Sequence, residues 1–215
     1  MTILGCLLLA STPEVPEADA PPVAVAEEPS TWRPLQLSLF APIQLVPRRD
    51  DVFGLRLGLG KSANRRVFGV DLGVVSLSEQ AAGLQVAALW NFTNRDACGL
   101  QLAALFNLAD TFTGLRVSLF NIASTLRGVE VGVINLGFKL FSHAYAFGLQ
   151  LGAVNQTSTL AGAQVGLYNE ASDGAGVQVG LVNVARRGFL GVQLGLVNII
   201  RGRTVPFVPV VNVSL

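Results

Sequence analysis

Three features of this chain have residue types and spacing that could do chemistry: the glycine-rich GLGKS at 58–62, the lone His143, and a line of polar side chains that recurs along the chain. A phosphate-binding loop needs a glycine five residues before Gly60, so that consecutive backbone N–H groups can cradle a phosphate, and a helix must follow. Leu55 holds that place, and the flanking residues alternate like a strand. His143, in KLFSHAYAF, is the only histidine and has no cysteine pair beside it, so a metal site lacks ligands. No nucleophile elbow accompanies it, which leaves no Ser-His-Asp arrangement. These absences predict a protein without catalytic activity, metal or cofactor.

The polar line is Arg56, Asp71, Gln85, Gln101, Arg116, Glu130, Gln150, Gln164, Gln178 and Gln193, each standing two residues after a glycine. Groups of this kind can line a pore or plug a lumen, where charges must pair or meet water. The two arginines and two acids sum to zero, so nothing in the line selects for ions. Paired side chains that plug the lumen fit this balance better than an open pore does.

The line belongs to a repeat. Glycines 54, 69, 83, 99, 114, 128, 148, 162, 176 and 191 mark position zero, 14 to 16 residues apart except for one spacing of 20. Asparagine follows seven residues later in six copies, and eight later at Asn91 and Asn107. Positions one, three and five are aliphatic, whereas two and four carry Gln and Gly. That period of two is the signature of a strand. Turn-forming residues such as QTST, ASDG and ARRG separate the copies. Each copy therefore reads as one strand and one turn. PLQLSLFA from Pro34 and VPFVPVVN from Val205 are degenerate flanking copies, which brings the number to twelve. The uncharged stretch 144–169 mimics a transmembrane helix in mean hydropathy, but its strand-spaced Gly, Gln and Asn argue against one.

Of 215 residues, 51% are hydrophobic and 13% charged, about half the usual charged fraction. Residues 1–11, MTILGCLLLAS, resemble the apolar core of an export signal. Residues 12–33 are rich in Pro, Ala and Glu and read as a disordered acidic linker, leaving 34–215 as the repeat domain. Five acids precede Arg33, so the remainder carries fifteen basic against nine acidic residues. That excess is too scattered to bind nucleic acid. Cys6 and Cys98 are the only cysteines, so no disulfide framework is expected and Cys98 reads as a small core residue.

Two all-β assemblies satisfy the pattern. In an up-and-down antiparallel barrel, Gln at position two faces Gly at four, a large polar residue against the smallest one. Twelve short strands with one aliphatic face then describe an outer-membrane barrel whose partner is the lipid bilayer and whose lumen receives the polar line. Gly180→Phe would find no room opposite a glutamine there. In a β-solenoid, the alternative, like positions stack: Arg56 over Asp71, Arg116 over Glu130, Asn over Asn. The weight falls on the barrel, because a coil of 14 or 15 residues is very small and would show apolar rows to water. PLQLSLFAPIQLVP, FGLRLGLGKSANRRVFGVDLGVVS, the GxQxGLxN copies and the terminal VPFVPVVNVSL resemble the Gram-negative surface-repeat proteins, built from short GLQxGLxN units. The resemblance covers 34–215 and implies export and a place in the outer membrane or at the cell surface. It implies no defined activity.

Overall fold

The computed structural model describes residues 31–40, 43–138, 143–186 and 188–214. The signal-like segment, Cys6 and most of the expected linker lie outside these residues. Among the described residues there is no helix, and none that could cross a membrane; 144–169, which mimics a transmembrane helix, holds a strand at Tyr145–Leu151 and the start of the strand Val154–Arg186, with a bend between them.

The chain runs β1 (Trp32–Phe40), β2 (Ile43–Gln44), β3 (Asp51–Ala103), β4 (Phe106–Val117), β5 (Phe120–Val131), β6 (Ile134–Gly137), β7 (Tyr145–Leu151), β8 (Val154–Arg186), β9 (Phe189–Arg201) and β10 (Phe207–Ser214). Their order is β10-β9-β8-β6-β5-β4-β3-β1-β2, with β7 pairing β5 and β8. From β1 to β9 each repeat pairs parallel with the next, in register: Phe106 with Phe120, Asn107 with Asn121, Gly114 with Gly128, Arg116 with Glu130. Parallel pairing of like positions is a β-solenoid, which overturns the expected antiparallel barrel. Position two lies on position two, never opposite four.

A parallel neighbour requires the chain to return before it pairs again, so each coil turns twice. One bend falls at positions four and five, as at Ser118–Leu119, and the other near position ten. The longer face of the coil runs through the glycine, as in Thr125–Val131, and the shorter returns through the asparagine, as in Phe120–Ala123. One strand and one turn per copy was therefore half of the unit. The long spacing before Gly148 is absorbed between β6 and β7, at the position-ten edge, and the coil on either side keeps its register.

The flanking copies part company. β1 joins parallel, with Gln36 on Arg56 and Leu37 on Leu57. β10 runs antiparallel to β9, with Asn212 against Gln193 and Val208 against Asn198. Expected as a twelfth copy, it is instead a cap. Pro206, Pro209 and Val210, with φ of 67°, interrupt its outer edge, which discourages a further strand from adding.

Glycine at position zero is what lets coils this small stack closely. A Cβ at Gly162, where φ is +146°, would lie 2.0 Å from the carbonyl oxygen of Gly148 in the coil before. Position four is as tight: a Cβ at Gly180 would sit 2.4 Å from Gly166 O and 2.6 Å from Asn169 Nδ2. Room for a side chain is missing at Gly180 because of the coil beside it, not because of a facing glutamine. The apolar interior is confined to the position-ten end, where Phe112, Leu126, Leu160, Phe189 and Ile200 are buried with a row of alanines. Each large side chain there stabilises the coil by about 1.5–3 kcal/mol.

Candidate functional site

At the other end of each coil the interior is polar. All ten residues of the polar line point inward in one column, none more than 4% exposed. The amide of Gln193 donates to Gln178 at 2.7 Å, Gln178 to Gln164 at 2.8 Å, and Gln164 to Gln150 at 2.8 Å. Gln150 then donates to Glu130 Oε2 at 2.8 Å, and Arg116 donates to Glu130 Oε1. A second series repeats the scheme: Gln101 donates to Gln85 at 2.5 Å, Gln85 to Asp71 at 3.3 Å, and Arg56 grips Asp71 through Nε and Nη2 at 2.7 and 2.6 Å. Ser76 bonds both Arg56 and Asp71.

This arrangement has a simple logic. A row of amides that all donate the same way reinforces itself, and a carboxylate is the acceptor that ends it most favourably. The arginine behind each carboxylate neutralises it, since an unpaired buried charge would be prohibitive. Where the two series meet, Gln101 Oε1 and Arg116 Nε are buried without hydrogen-bond partners. Arg116 also reaches across the coil to Ile122 O at 3.2 Å and lies 5.0 Å over the Phe112 ring.

The asparagines form a parallel column with the opposite polarity. Asn169 Nδ2 donates forward to Asn183 Oδ1 and to Val179 O, both at 2.9 Å, and its own Oδ1 accepts from Asn155 at 2.8 Å. The same double donation recurs from Asn91 to Asn183, so each asparagine ties the turn of the following coil. The recurrence of asparagine at position seven signalled this column, but the second bond, to the carbonyl at position three, could not be seen without the stack.

The remaining sequence candidates are dispersed. GLGKS lies inside β3 and wraps an edge turn, with Lys61 exposed and Ser62 buried. His143 is exposed beside a shallow groove with Ser158, Ser172, Asp173, Arg186 and Arg201. Among the described residues no three His, Cys, Asp or Glu side chains are grouped to hold a metal. Cys98 is half-buried just before Gly99, not in the core. Arg65 and Arg66 are paired with buried Asp51, at 3.3 and 2.6 Å. Burial alone would raise the Asp51 carboxyl, but hydrogen bonds and charge from Arg66 and then Arg65 outweigh it and hold it below the ordinary range. Burial, then the hydrogen bond to Glu170, raises the Tyr168 hydroxyl.

The fold and its two amide columns define a parallel β-solenoid with a hydrogen-bonded polar interior. No protein-family model matches the chain, and no similar curated protein or solved structure is found.

Proposed function

We propose that this chain is an exported cell-envelope structural protein, a β-solenoid interaction module at the outer membrane or cell surface, without catalytic activity. One observation carries the reading: its concentrated polar groups are spent on one another. The ten residues of the column are buried and bonded from coil to coil in two series, so they present no surface to a substrate. What the coils offer to a partner is their outside. The signal-like 1–11 segment and the resemblance of 34–215 to surface-repeat proteins support the location.

Fractionating cells that express the full chain tests the proposal. The protein is expected with the envelope, and protease added to intact cells should attack it. Recovery in the soluble cytosolic fraction, protected from protease, would overturn the reading.

A further inference from the structure

The outside of the coil is ordered by chemistry. From the coil of Pro34 to that of Gly191, every residue at positions one, three and five is Leu, Val or Ala, and none is buried. The row at position five is the most prominent, with Leu167, Leu181 and Leu196 at 57, 49 and 67% exposure. Between Gly54 and Val197 no charged residue stands at positions zero, one, three, four, five or six. Aromatic side chains flank this band on both sides. Phe53, Phe68 and Phe147 stand one residue before the glycine, and Trp90, Phe106 and Phe120 stack in the row after the bend. Apart from exposed Lys61 at position seven, charges gather at the opposite edge, around position ten and the residues that follow it, as at Arg65, Arg95, Asp110, Asp173, Arg186 and Arg201.

Backbone groups at the edge are also bonded from coil to coil. Gly132 N donates to Leu151 O at 2.9 Å, Val133 N and Ile134 N to Leu119 O at 2.9 Å, and Leu167 N and Tyr168 N to Ala153 O at 3.0 and 2.9 Å. The carbonyl at position three accepts a second bond from asparagine. Backbone that meets hydrocarbon must have its polar groups bonded internally, and these bonds supply that for the groups named.

We infer that the edge formed by positions one, three and five docks in one leaflet of a lipid bilayer, with the solenoid axis lying along the membrane surface. Strand geometry sets the depth: two residues advance about 6.6 Å, so rows one to three span about 7 Å and the bend at positions four and five carries row five only a few ångströms further, within the ~15 Å half-thickness of a hydrocarbon core. Trp90 then sits at the boundary, where its amphipathic ring is favoured, the phenylalanines lie beside it at the margin of the apolar band, and the charged edge stays in the headgroups and water. The fifteen-to-nine excess of basic residues beyond the acidic linker suits anionic headgroups. A second copy of the chain could cover the aliphatic rows, but would give no reason for aromatic rows on both flanks or for charge to retreat to the far edge. This inference names the partner of the module proposed above.

Flotation of the purified full chain with vesicles of phosphatidylcholine, with and without phosphatidylglycerol, tests it. The protein is expected to float with both, and at least about threefold more tightly with the anionic lipid at low salt. The triple variant Leu167→Lys, Leu181→Glu, Leu196→Lys alternates charge along the stack and should weaken binding at least about tenfold with an unchanged β spectrum. Should that variant misfold, Leu→Thr at the same three positions supplies the comparison. In Trp32→Phe, which leaves Trp90 alone, vesicles should blue-shift the emission and brominated lipid should quench it. A chain that stays with the aqueous phase overturns the inference, and so does a dimer that the triple variant dissociates without any effect of lipid. Neither result bears on envelope location, which fractionation reads independently.

Discussion

If the interior column is a stack of interchangeable rungs, its buried ion pair can be replaced by two more amides. Arg116 is fully buried, and its charge is met by Glu130. In Glu130→Gln the guanidinium keeps only Ile122 O at 3.2 Å and the Phe112 ring at 5.0 Å. An uncompensated charge of this kind costs about 3–5 kcal/mol. Arg116→Gln strands the Glu130 carboxylate with Gln150 as its remaining donor in the column, at 2.8 Å, and costs a similar amount. In the double variant a Gln at 116 can donate to Gln101 Oε1, which has no partner in the wild type, and a Gln at 130 continues the spacing of the 150–193 series. The column becomes one unbroken row of amides, and the double variant should lie within about 1 kcal/mol of wild type. The cycle then gives a coupling of about 5 kcal/mol or more. Urea unfolding at neutral pH, followed by circular dichroism and compared at equal m values, measures it. Single variants that each cost under about 1 kcal/mol, or a double variant as unstable as both losses combined, would refute the reasoning.

Gly162→Ala places a Cβ 2.0 Å from the Gly148 carbonyl at φ of +146°, and should cost about 3 kcal/mol or more in urea unfolding; Gly180→Phe should prevent folding altogether, visible as loss of soluble protein. The depressed Asp51 carboxyl contributes stability that is complete above its ordinary value of 3.8 and is lost as the pH falls through the lower folded value. An acid titration of stability should therefore show a drop that Asp51→Asn lacks, and identical acid limbs would exclude the Arg65–Arg66 pairing as its source. Deleting 205–215 removes the cap and opens the edge of β9, so light scattering should show stronger association than for the full chain; unchanged mass would mean that β10 is dispensable.

Much of the coil was legible in the sequence. Alternation from Val177 to Leu181 assigned Gln178 and Gly180 to one side and the aliphatic residues to the other, and the structure keeps that division. The identity of Asn155, Asn169, Asn183 and Asn198 favoured stacking of like on like, because an amide bonds best to its equal in the next coil. Against it stand the apolar rows left outside, which a coil in water would expose. They are a property of the surface. The degenerate VPFVPVVN kept the strand pattern and so concealed that β10 turns back as a cap.

The order of side chains in the sequence settled the period of the repeat and which residues share a face, because a strand sends successive side chains to opposite sides whatever lies beside it. It left open the direction of the neighbouring strand, since parallel and antiparallel ladders accept the same alternation. Tertiary structure decided that. Successive coils approach until Gly148 O leaves no space for a Cβ at Gly162, and in that contact the glutamines and asparagines meet their own kind. Only the assembled stack turns ten scattered polar residues into one bonded interior and leaves the aliphatic rows outside.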